Sequence, residues 1–161
     1  MPITILTGGQ TGVDQIAWAL AAKHGLATAG WMPAGWLTEA GPRPDLAAIY
    51  HAQAHPSAVP ADRTTANVRD ADATLLFLHA RSGRGNRRTL VECLKHAKPC
   101  WVVRLDLRPL VPSPHQISDR VCEFRVQRLN IAGDRASNLS PFTGDAMAYL
   151  ESLMKSLSVA P

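Results

Sequence analysis

The chain has 161 residues, 46% of them hydrophobic and 19% charged, with a net charge of +4. That composition is too apolar for a disordered chain, and no apolar run approaches the roughly 18 residues of a membrane-spanning helix. The mild positive balance suits an anionic small ligand, and no arginine stripe with interleaved aromatics points to nucleic acid.

Residues 2–7 are short, apolar and β-branched, which predicts a buried strand. The turn Gly8-Gly9-Gln10-Thr11-Gly12 leads into residues 13–24, where Val13, Ile16, Ala17, Leu20 and Ala21 recur at helical spacing before Gly25 stops the helix. Residues 26–33 predict a second strand, and the Gly- and Pro-rich residues 34–46 a loop. A short helix is expected within residues 46–55 and another over 62–70, followed by a buried strand over 72–80. Residues 81–88, RSGRGNRR, read as a basic loop, 89–97 as a helix and 99–107 as a strand. The proline-rich stretch 108–118 reads as irregular, 127–133 as a final strand and 145–157 as an amphipathic closing helix. This alternation predicts a single α/β domain over residues 1–161: a Rossmann-like three-layer sandwich, its mostly parallel sheet covered by helices on both faces. Ligands in such sheets bind at the C-terminal ends of the strands, where strand order reverses.

The first turn has the chemistry of an anion seat. Glycines allow the backbone to approach a ligand, and a helix N-terminus offers unpaired N–H groups. Gly8, Gly9, Gln10, Thr11, Gly12 and Asp14 are therefore candidate binding residues, although the spacing matches neither GxGxxG nor a P-loop. Arg63, Asn67 and Asp70 share one helical face and form a second group, with Arg63 suited to clamp a phosphate or carboxylate. In the third, Thr89 and Glu92 have capping-box spacing. The same segment also reads as a second anion-binding helix start, with Gly85 and Thr89 lining it and Arg84, Arg87 and Arg88 supplying charge. Asn130, Gly133, Arg135 and Ser137 follow the last strand and are placed to close the site.

His51 and His55 have ligand spacing, but there is no evident third ligand, so no metal site is expected. Cys93, Cys100 and Cys122 are widely spaced and form no CxxC pair, which argues against a zinc knuckle or disulfide framework and for a reducing compartment. With no signal-peptide pattern at MPITILTGG, a cytoplasmic location is expected.

The segments GGQTGVDQ, GWMPAG with EAGP, DRTTANVRDADATLLF, KPCWVV and LNIAGDRAS, in that order, resemble the molybdenum-cofactor carrier family. The resemblance implies a Rossmann-like fold related to lysine-decarboxylase-like proteins and cytokinin-activating phosphoribohydrolases, and a homo-oligomer, dimer or tetramer. It also implies the molybdenum cofactor, a pterin with a terminal phosphate and a metal-binding dithiolene, as ligand. By comparison with the hydrolases, Arg63, nine residues before Asp72, and Glu92 of the TLVE segment correspond to the catalytic arginine and glutamate. The hydrolase loop Gly-Gly-x-Gly-Thr is replaced here by Gly85-Asn86-Arg87-Arg88-Thr89. A binding protein for a phosphorylated, nucleotide-like ligand is therefore preferred over a nucleoside monophosphate phosphoribohydrolase. A non-catalytic, ligand-sensing oligomeric module is the third reading.

Overall fold

The computed structural model describes residues 2–159; Met1, Ala160 and Pro161, the ends of the expected domain, lie outside them. The chain opens with β1 (Thr4–Leu6), α1 (Val13–Lys23) and β2 (Ala27–Met32). Gly25, at φ 72°, ends α1 with N–H bonds from Gly25 to Ala22 and from Leu26 to Ala21, the left-handed stop that glycine favours. The expected loop carries one helical turn at Ala34–Trp36 and a small antiparallel hairpin of β3 (Leu37–Thr38) and β4 (Gly41–Pro42).

Residues 46–55 divide, where one helix was expected. α2 (Asp45–Tyr50) ends on His51 in the left-handed conformation, and β5 (Ala52–Ala54) then forms a sheet edge. Next come α3 (Pro60–Asp70), with proline at its first position, and β6 (Ala73–Leu78). α4 (Arg84–Lys95) begins well before the expected residue 89, so residues 84–88 of the basic segment open the helix and only 81–83 form the expected loop. β7 (Cys100–Arg104) follows. The proline-rich stretch is irregular as expected over residues 108–113 and then starts a helix, α5 (Pro114–Glu123), because Ser113 and Gln116 form a reciprocal capping box around Pro114. β8 (Arg128–Ala132), the single turn α6 (Ala136–Leu139) and α7 (Thr143–Ser158) complete the chain.

The six strands of the main sheet are parallel, in the order β5-β2-β1-β8-β6-β7. β6 is apolar and buried along nearly its whole length, as a strand covered on both faces must be. The main core joins one face of the sheet, with Ile5, Leu75, Phe77, Val103, Leu129 and Ile131, to α1, α5 and α7. α3 and α4 pack together on the opposite side. α7 contributes Ala146, Tyr149, Leu150, Leu153, Met154 and Leu157, the stripe that a 3.6-residue period places on one side. The last strand does not lie at an edge. β8 sits between β1 and β6, so the sheet reverses its order at its centre.

Burying a leucine side chain contributes about 1.5–3 kcal/mol, and a cavity adds to the loss when it is truncated. Leu150→Ala is therefore expected to lower unfolding free energy by about 2–5 kcal/mol in urea denaturation. A loss below about 1 kcal/mol would show that α7 does not close this core.

Candidate functional site

A cleft of about 680 Å³ opens at the C-terminal ends of β1, β8 and β6, where the strand order reverses. Its walls come from the turn after β1, the β3–β4 hairpin, the start of α3, the start of α4 and the turn after β8.

The turn after β1 differs from its sequence reading in one decisive way: the protein supplies its own anion. The Asp14 carboxylate accepts from the backbone N–H groups of Gly8 and Gln10, the latter at 3.2 Å. Gly9 N donates to Thr7 Oγ1 at 3.1 Å, Thr11 N to Gln10 Oε1 at 3.0 Å, and Val13 N to the Asp134 carbonyl at 3.2 Å. The amides expected to be exposed here thus have internal acceptors. Gln10 and Asp14 line the cleft; Gly8, Gly9, Thr11 and Gly12 do not. The glycines serve close packing. A Cβ on Gly8 would strike the Arg63 guanidinium, on Gly9 the Met32 side chain, and on Gly12, at φ 83°, the backbone of Asp134 and Ala136. Burial pushes the Asp14 carboxyl up to about 6, against the opposing pull of Arg63 and the Gln10 and Gly8 amides.

Arg63, on the first turns of α3, lines the cleft and places Nη1 3.8 Å from Asp14 Oδ2. Its Nε is buried and has no hydrogen-bond acceptor among the described residues. Asn67 and Asp70, expected beside it, point to Trp31 instead. Asn67 Oδ1 accepts from Trp31 N at 2.9 Å and its Nδ2 donates to Trp31 O at 3.0 Å; Asp70 Oδ2 accepts from Trp31 Nε1 at 2.8 Å. Both anchor α3 to β2, outside the cleft. Asp72 likewise accepts from Gln127 N and Arg128 N, fixing the entry to β8.

The start of α4 is where amides are open. Gly83, its N-cap, offers no side-chain cap, and the first N–H groups, Arg84 and Gly85, have no acceptor within the helix. Gly85 needs no glycine for steric reasons, since a Cβ there meets open space. Asn86, which is 5% exposed, lines the cleft with its Nδ2 unpartnered among the described residues. Thr89 is not a cap: it sits in the second turn and its hydroxyl donates to Gly85 O at 3.1 Å. Arg88 lines the cleft between α3 and α4, its Nη2 3.3 Å from Thr65 Oγ1 and its Nε 2.9 Å from Glu92 Oε1. Glu92 is 2% exposed and lies outside the cleft, with Lys95 and His96 also near its carboxylate at 3.4 and 3.6 Å.

After β8, Gly133 lines the cleft, and a Cβ there would collide with Val13. Asn130 does not reach the cleft; its Nδ2 donates to Thr74 Oγ1 within the sheet at 3.2 Å. Arg135 lines the cleft, whereas Ser137 holds the hairpin: its N–H and hydroxyl donate to Glu39 at 3.0 and 2.6 Å. Thr11 Oγ1 donates to the same carboxylate at 2.6 Å, and together these bonds hold Glu39 down at about 2. Sequence reasoning missed Glu39, Asn86 and Asp134 as wall residues, and Ser82 and His79 behind them. The Ser82-Gly83 pair was the one local signal for an earlier start of α4, offset by Gly85 and Asn86 just after it. Nothing local marks Asp134.

His51 is the C-cap of α2, and His55 Nδ1 accepts from Ser57 N at 3.0 Å. Among the described residues no group of three or more His, Cys, Asp or Glu side chains is placed to hold a metal ion, and no helix is long and apolar enough to cross a membrane.

The model of the circularly permutated YpsA SLOG family matches residues 5–154. A solved structure from Syntrophus aciditrophicus SB, named "Putative molybdenum carrier protein", is 31% identical, covers 99% of this chain and 96% of its own, and superposes with a TM-score of 0.79. Comparison with curated proteins gave no match.

The folded protein holds a proton on Asp14 up to about pH 6, whereas an unperturbed aspartate releases it near 3.8. A raised carboxyl favours folding while protonated, so this contribution declines as pH rises through that window and stays low above it. Measured against Asp14→Asn, which cannot titrate, wild-type stability is expected to fall by roughly 1–3 kcal/mol between pH 4 and 7. A constant difference across that range would show that Asp14 ionises normally.

Proposed function

The chain belongs to the circularly permutated YpsA SLOG family, and on that premise we propose that it is a binding protein for a small phosphorylated ligand with a flat heterocycle. The name of its solved relative points to molybdenum as cargo, and the family resemblance of the sequence narrows that to the molybdenum cofactor. One observation carries the reading. Asn86 Nδ2 and Arg63 Nε, two buried donors without acceptors among the described residues, line the same cleft as the uncapped start of α4. A buried donor left unsatisfied costs about 1–3 kcal/mol, and a phosphate oxygen relieves it. The Arg84 and Gly85 amides then meet the anion along the helix axis, and Arg63 and Arg88 supply the charge. Pro33, Leu37 and Pro60 form the apolar side of the cleft, suited to a flat ring. The lining contains no cysteine or methionine, so its side chains would bind the cargo through its phosphate and ring and would offer no sulfur ligand to a molybdenum ion.

The phosphoribohydrolase reading fits less well. Arg63 is in the cleft, but Glu92 faces Arg88, Lys95 and His96 instead. The single domain over residues 1–161, a homo-oligomeric state and a cytoplasmic location belong to the same proposal.

Calorimetry with AMP, a phosphorylated planar probe, tests the site. Arg63→Ala is expected to weaken binding on the order of tenfold or more. Gly85→Asp puts a carboxylate into the anion position, where a side chain has room. It is expected to abolish binding while thermal stability holds, because an acid in the first turn suits the helix dipole. Wild-type affinity in both variants would overturn the site. Mass spectrometry of ligand retained through anaerobic purification is expected to find a phosphorylated pterin.

A further inference from the structure

Asp134 does not fit a simple anion cleft. It is 5% exposed, it lines the cleft, and a carboxylate there repels an anion. Yet both its oxygens are fully engaged. Oδ2 accepts from Ser82 Oγ at 2.6 Å and lies 3.0 Å from His79 Nε2. Oδ1 accepts from Gly83 N at 3.0 Å and from Asn138 Nδ2 at 3.3 Å. His79 Nδ1 accepts from Arg81 N at 3.2 Å, so the ring proton is on Nε2, facing Asp134 and the Asn138 carbonyl at 2.9 Å. The Asp134 carbonyl takes Val13 N, which brings the turn after β1 to the same residue. The turns leaving β1, β6 and β8 therefore converge on Asp134.

Gly83 is the N-cap of α4, and no side chain caps the helix in the usual way. What orients this corner is the bond from its N–H to Asp134, with Ser82 held beside it. We propose that Asp134 is a positioning residue for the anion seat: by fixing Ser82 and Gly83 it aims the open N–H groups of Arg84 and Gly85 into the cleft. This rests on the binding function proposed above. It makes a prediction opposite in sign to that of charge alone. Asp134→Asn removes a negative charge beside the ligand, so plain electrostatics expects tighter anion binding. Positioning expects weaker binding, because in either amide orientation an NH₂ group faces a donor: His79 Nε2–H and Ser82 on one side, Gly83 N–H on the other.

The test uses inorganic phosphate as probe, followed by amide NMR, together with hydrogen exchange at Gly83 in the ligand-free protein. Asp134→Asn is expected to weaken phosphate binding on the order of tenfold and to speed Gly83 exchange by a similar factor. Ser82→Ala, which leaves the charge in place, is expected to weaken binding several-fold, and it decides the question if Asp134→Asn does not fold. Leu150→Ala, which destabilises the core through α7 and lies outside the cleft lining, is expected to leave phosphate affinity unchanged, separating positioning from general loss of stability. Equal or tighter phosphate binding by Asp134→Asn, with unchanged Gly83 exchange, would overturn the proposal. A wild-type protein whose Arg84 and Gly85 amides ignore phosphate would overturn the anion seat itself, while Gly83 exchange would still report whether Asp134 sets this corner.

Discussion

The architecture of the cleft depends on one buried carboxylate, Asp14, and the half-buried Arg63 that faces it. Asp14 lies inside the turn after β1, accepts from the Gly8 and Gln10 amides, and faces Arg63. A buried carboxylate is costly unless hydrogen bonds and an opposite charge surround it. The glycine run provides both in part, with burial still outweighing them and raising the Asp14 carboxyl to about 6. It bends the backbone so that the amides point inward, and the missing side chain at Gly8 lets the Arg63 guanidinium lie against the turn. Arg63 is thereby held at the edge of the cleft with Nε still open.

Sheet order does the rest. Because β8 is inserted between β1 and β6, the three turns that leave these strands meet at one corner. Backbones approach closely there: Gly12 lies against Asp134 and Ala136, and Gly133 against Val13. This packed corner supports the start of α4. The β3–β4 hairpin is tied to the same corner through Glu39, which bridges Thr11 and Ser137. The cleft is thus built from loops, but each loop is fixed by a buried or multiply bonded carboxylate: Asp14, Asp134 or Glu39.

Most of the fold was legible from the sequence because its punctuation is local. The apolar run of β6, the glycine stop after α1 and the stripe of α7 each declare an element without outside help. Where the reading failed, a distant contact or a short element was decisive. β5 is a three-residue edge strand with two alanines, too short to show alternation. The start of α4 looks like a loop because it contains Gly85 and Asn86, and it is anchored by Asp134, 51 residues away. α5 did carry a local signal, the Ser113-Pro114 start with Gln116, hidden among prolines. Within the site, Arg63 was legible from its place on α3, but Asn67 was not, since its partner Trp31 is 36 residues away. The anion-seat logic favoured the turn after β1 and gave the start of α4 only as a second candidate. Only the side chain of Asp14, folding back on its own turn, tells them apart.

The most direct measurement is a crystal structure of the protein with AMP. The phosphate is expected at the Arg84 and Gly85 amides, within reach of Asn86 and Arg63, with Asp14 still bonded to Gly8 and Gln10. A phosphate seated on the turn between Gly8 and Thr11, with Asp14 displaced, would contradict this expectation.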